Sequence, residues 1–143
     1  MAEEKIKAKL SQYRKQKNMA EHLDQQAKDL RKRLEENEAK QIRGRPRKKE
    51  PAEELQRKIK ETEERRDRFE RRARKARPIV QAYIDTVTSI RHNELLTGIY
   101  IDRMSVEEMA ERQGYSTRQM WRIYKEAHKM VELNTRQNDV SIF

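Results

Sequence analysis

SVEEMAERQGYSTRQMWRIYKEAHKMVEL, residues 105–133, is the segment that organises this chain. Its serines open two capping boxes, Ser105 with Glu108 and Ser116 with Gln119. In such a box the N-cap hydroxyl and the N3 side chain satisfy amides that have no partner in the first helical turn. Gly114 stands between them, where a left-handed residue can end the first helix. Ala110, four residues earlier, is small enough to let two helices cross closely. Met109, Tyr115, Met120 and Ile123 supply apolar side chains where the crossing must be held, while Gln113 stands where an apolar residue is expected. The spacing predicts a helix-turn-helix.

The second of these helices divides into two faces. Met120, Ile123, Tyr124, Ala127, Met130 and Val131 recur at three- and four-residue steps and form an apolar stripe. Thr117, Arg118, Trp121, Arg122, Lys125 and Lys129 occupy the other side. Arg and Lys on an undocked face can reach guanine edges and phosphates in a major groove while the stripe stays packed. Trp121 has two readings on sequence: contact with a thymine methyl or sugar, or folding back onto the domain.

Outside this segment the chain is too polar for one core. Of 143 residues, 34% are hydrophobic and 42% charged, which predicts a small apolar domain with a polar helical extension. Residues 1–77 hold only Tyr13 and Phe69 as aromatics, whereas residues 78–143 hold six. The expected division is therefore a basic helical region over 1–77, a small domain over 78–133 and a tail over 134–143. The net charge of +10 favours polyanions through counterion release. Most of the excess is N-terminal: residues 1–50 carry 16 Lys/Arg against 9 Asp/Glu, and residues 51–77 carry 11 against 7.

No apolar run approaches the roughly 18–20 residues that span a bilayer, and neither a signal peptide nor a membrane partner is expected. With no cysteine there are no disulfides or thiolate metal sites, compatible with a cytoplasmic location. His22, His92 and His128 lack metal-ligand spacing, and no phosphate-cradling glycine loop or nucleophile elbow is present. An enzyme, a cofactor and a metal are accordingly not expected.

In the extension, Ile6, Leu10, Tyr13, Ala20, Leu23, Ala27, Leu30 and Leu34 form a narrow seam in a proline- and glycine-free helix from Ala2 to Ile42. A second helix opens at Pro51 and carries Leu55, Ile59, Thr62, Arg66, Phe69, Ala73 and Ala76 to Arg77, with Pro78 expected to end or kink it. The two predict an antiparallel hairpin or a hairpin-mediated homodimer. Beyond Pro78, one helix carrying Ile79, Val80, Tyr83, Ile84, Val87 and Ile90 is expected to end near Arg91, and another carries Leu95, Leu96, Ile99 and Tyr100. The fold class is all-α: a long basic helical hairpin or coiled coil, then a small helix-turn-helix domain.

Between the long helices, Arg43, Gly44, Arg45, Pro46, Arg47, Lys48 and Lys49 resemble an AT-hook. Glycine lets a backbone approach a minor-groove floor, proline keeps it extended, and arginines enter where the negative potential is enhanced. The same seven residues also read as a basic turn between helices.

Leu95, Leu96, Ile99, Tyr100, Ser105, Glu108, Met109, Ala110, Gly114, Ser116, Met120, Ile123 and Ala127 keep a spacing that resembles region 4 of bacterial sigma-70 factors. The likeness covers roughly residues 80–133. It implies a module that reads promoter DNA, and its match to that motif assigns Ser116, Thr117, Arg118, Trp121, Arg122 and Lys125 to base- and phosphate-facing positions. The rest of a sigma factor is missing, so the chain looks more like small phage or prophage regulators of the ArpU and RinA types. The proline usual before the second helix is absent here. The resemblance implies double-stranded DNA as partner, RNA polymerase as a further one, and a place on the bacterial nucleoid. Two other functions fit the pattern: a phage packaging component of the small-terminase kind, and a helical protein–protein interaction factor.

Overall fold

The computed structural model describes residues 2–42 and 51–137, and among these the protein is all-helical. Six helices follow in order: α1 (Ala2–Leu10), α2 (Gln12–Ile42), α3 (Ala52–Asp85), α4 (Ile90–Tyr100), α5 (Val106–Gln113) and α6 (Thr117–Gln137). No helix among the described residues is long and apolar enough to cross a membrane. Two compact units divide the chain: Met1–Lys15 with Arg72–Phe143, and Gln16–Arg71.

That division corrects the expected boundary at 77/78. Ile6 and Leu10 of α1 are buried in one core with Val80, Tyr83, Ile84, Leu95, Leu96, Met109, Met120 and Val131. Tyr13 packs against the same core, and the Arg77 guanidinium lies 5.8 Å from its ring centroid. A four-helix domain of some 55 residues has too little interior to be secure. Burying Ile6 and Leu10 adds about 1.5–3 kcal/mol each of apolar stabilisation. The amphipathic period was correctly legible in α1, but a period reports which face is buried and not what covers it.

Pro78 neither ends the helix nor marks a boundary, since α3 runs through it to Asp85. Its missing N–H and ring clash cost a helix interior about 3 kcal/mol. Pro78 lies on an exposed face, where water can satisfy the carbonyl left over, and buried Ala73, Ala76, Val80, Tyr83 and Ile84 hold both flanks. The chain breaks instead at residues 86–89. There Thr86 Oγ1 donates to the Tyr83 carbonyl at 2.7 Å, and Asn93 Nδ2 donates to the carbonyls of Ile84 and Val87 at 3.2 Å each. These side chains add to the backbone bonds that the Thr86 and Val87 N–H groups make to the Tyr83 and Ile84 carbonyls at the end of α3. Ile90, expected in the core of a helix ending near Arg91, therefore begins α4 and is 75% exposed.

The C-terminal boundary also moves: residues 134–137 belong to α6, and Asn134 Nδ2 donates to the Thr86 carbonyl at 2.7 Å. Residues 138–143 lie outside the described residues.

In the unit Gln16–Arg71, Ala20, Leu23, Ala27, Leu55 and Ile59 are buried. Arg66 bonds Asp24 at 2.9 Å and Arg31 bonds Glu63 at 2.5 Å, so α2 and α3 meet in opposite directions. Arg66 and Thr62, which interrupt the apolar seam, are used locally: Arg66 also reaches Asp67 at 3.1 Å, and Thr62 Oγ1 donates to the Lys58 carbonyl. Lys28 and then Arg66 hold the Asp24 carboxyl below the usual carboxylate range.

Candidate nucleic-acid interface

The turn between α5 and α6 is fixed at both ends by its own residues. Ser105 Oγ accepts from the Glu108 N–H at 3.1 Å and caps α5. Gly114, at φ 74° and ψ 26°, ends it in the left-handed region. The Tyr115 N–H reaches the Ala110 carbonyl at 2.9 Å and the Gly114 N–H the Glu111 carbonyl at 3.4 Å, the two bonds of a Schellman ending. Ser116 then forms a reciprocal box: its Oγ accepts from the Gln119 N–H at 3.2 Å, and Gln119 Oε1 accepts from the Ser116 N–H at 3.0 Å.

With its entry fixed, α6 is docked along one side. Met120, Ala127 and Val131 are fully buried and Ile123 nearly so, while Tyr124 and Met130 pack at the margin. Ala110 is buried in α5, where its methyl leaves room for α6. Gly98 of α4 permits another close approach, because a Cβ there would overlap Met109 Sδ of α5. The polar Gln113 is accommodated by donating to Glu94 Oε2 at 3.4 Å.

The opposite side of α6 stands in solvent: Ser116, Thr117, Arg118, Trp121, Arg122 and Lys125 are all exposed, as is Lys129. The structure brings these predicted residues together on the first turns of one helix. Trp121 is 41% exposed and stands edge-on to Tyr124, with centroids 5.1 Å apart, so it is supported by the domain without being buried in it. The predicted basic loop, Arg43 to Lys49, lies outside the described residues.

Two buried histidines, unassigned from sequence, fix α4 to α6. His92 bonds Ser89 Oγ at 2.7 Å through Nδ1 and Glu126 Oε2 at 2.9 Å through Nε2. His92, then the charges of Arg91 and Arg122, hold the Glu126 carboxyl below its usual range. A depressed carboxylate contributes stability that is complete above its ordinary value and lost as the pH falls through the folded-state value. The difference in melting temperature between wild type and Glu126→Gln should therefore be largest above about pH 5 and narrow as the pH drops through the ordinary 4.5. A gap that widens on acidification would contradict this assignment.

The second histidine, His128, donates from Nδ1 to the Tyr124 carbonyl at 2.6 Å, since a carbonyl can only accept. On the other side of the ring, Nε2 meets the Tyr100 hydroxyl, 2.5 Å away. Burial pushes the Tyr100 phenol above its ordinary range and keeps it a donor. Tyr100→Phe leaves that nitrogen without its donor, and chemical denaturation should show a loss of about 1–3 kcal/mol. A loss below about 0.5 kcal/mol would mean the bond adds nothing net.

Arg91 is a residue that reading along the chain missed. It is exposed, and it lines a cleft of about 190 Å³ with Tyr115, Gln119, Arg122, Ile123 and Glu126. Its sequence context placed it at a helix end; the break at 86–89 places it instead in the first turn of α4, beside α6. No grouping of His, Asp or Glu suited to a metal occurs among the described residues. Comparison with family models, curated proteins and solved structures finds no match to the chain.

Proposed function

We propose that the chain is a sequence-specific double-stranded DNA-binding protein, a phage-type transcription regulator, with α6 as its reading helix. The observation that carries this reading is the exposed row Ser116–Lys125 on a helix whose other face is locked into a core and whose N-terminus is fixed by two interlocking caps. Base readout requires that combination, because an Arg or Lys discriminates bases only when its backbone is held at a set depth and angle. The basic balance of the chain adds sequence-independent attraction for phosphate. The resemblance of residues 80–133 to sigma region 4 supports promoter-type DNA as the target and polymerase as a further partner.

The test is selection of bound duplexes from a random pool by the full chain, followed by titration of the enriched sequence against a scrambled one. Specific binders hold their sites about 10³–10⁷-fold more tightly than unrelated DNA. Enrichment of one motif supports the reading. No binding to any duplex at about 50 mM salt overturns it.

A further inference from the structure

We propose that Lys7 and Arg91 are two phosphate anchors of this interface, one on each edge of the α6 reading face and therefore one for each DNA strand. The inference rests on the DNA reading above and extends it to residues of two other helices, one of them more than a hundred positions away in sequence.

The geometry comes from α6 itself. At about 100° per residue, Trp121 and Glu126 fall on opposite sides of the Arg118–Lys129 stripe, each roughly 60–80° from its midline. Each edge has a cation beside it. On the Trp121 side, Lys7 Nζ lies 5.4 Å from the centroid of Tyr124, the ring against which Trp121 stands. Ile6 and Leu10, buried on either side of Lys7 in sequence, hold α1 in that place. On the Glu126 side, Arg91 shares the cleft with Arg122 and Glu126. Its position is set by its neighbour His92, tied to Ser89 and to Glu126.

A helix seated in a major groove about 12 Å wide has a phosphate strand along each flank. Cations on its edges meet phosphates and fix register, whereas cations on its midline meet bases. Arg91 carries a forked guanidinium suited to phosphate oxygens. Lys7, half-buried, carries an ammonium with three donors on a flexible stem. The Glu126 carboxylate, the acid in the same cleft, is engaged by His92 at 2.9 Å.

Salt dependence separates anchors from readers. The full chain is titrated against its selected duplex of about 30 base pairs and a scrambled one over a range of salt. Lys7→Gln and Arg91→Gln should each reduce the slope of log affinity against log salt by about 0.9, and the double variant by about twice that. The losses should be equal on both duplexes, and Lys7→Arg should restore the wild-type slope. Lys9→Gln is the control, because the Lys9 ammonium lies over Tyr83 of α3; its slope should be that of wild type. Should Lys7→Gln shift the unfolding midpoint, Lys7→Met keeps the aliphatic stem and replaces it.

Unchanged slopes for Lys7 and Arg91 variants, with Arg122→Ala still weakening the selected duplex, would sink the anchors and leave the DNA reading standing. An equal drop for Lys9→Gln would mean a diffuse basic surface, and the proposal would fall. If the wild-type chain binds no duplex, the reading falls and the anchors with it.

Discussion

Leu10→Ala is expected to destabilise the unit that contains α6 by about 2–5 kcal/mol, the usual cost of emptying a fully buried leucine site. Leu10 has no exposed surface and shares a core with Val80, Tyr83, Leu95 and Met120. Small domains are stable by only about 5–15 kcal/mol, so this loss is a large fraction of the whole. Trp121, the single tryptophan, sits on α6 and reports that unit by fluorescence. Urea unfolding followed at Trp121 should therefore shift to lower denaturant in Leu10→Ala. If residues 1–77 formed a domain separate from α6, the Trp121 transition would not move, and that result would refute the shared core.

The second large effect is on binding. Alanine at both Arg118 and Arg122 should weaken the selected duplex by about 2–5 kcal/mol, each base-reading arginine contributing about 1–3. The two are one helical turn apart, so their effects need not add. Both are exposed, so the unfolding midpoint should stay near that of wild type. The scrambled duplex should lose less than the selected one. Equal losses on both would show that these arginines touch only phosphate, and the reading face would have to be sought elsewhere on α6.

The parts of this protein that were legible along the chain are those built from contacts a few residues apart. Ser105, Gly114 and Ser116 cap and end helices through bonds spanning three to five residues, and all three act where their spacing placed them. The stripe from Met120 to Val131 repeats at the helical period, so its burial followed from the pattern. The break at residues 86–89 was less visible, because Val87 and Ile90 continue a three-residue apolar step across it. The bonds that hold the break include two from Asn93 back to Ile84 and Val87, arriving from the next helix. Pro78 misled in the opposite sense. Its cost is local, whereas the burial of Val80, Tyr83 and Ile84 that offsets it is tertiary.

Sequence alone determined that the described chain is helical, where α5 and α6 begin, and which face of α6 stays in solvent, because propensity, capping and amphipathic period are properties of neighbouring residues. Only tertiary structure decided that Ile6 and Leu10 belong to the core under α6, that His92 and His128 are buried links between α4 and α6, that Lys7 lies by the Tyr124 ring, and that Arg91 shares a cleft with Arg122 and Glu126. Those outcomes depend on which apolar surfaces find each other across long separations. A periodic pattern displays the surface to be buried and carries no record of its partner.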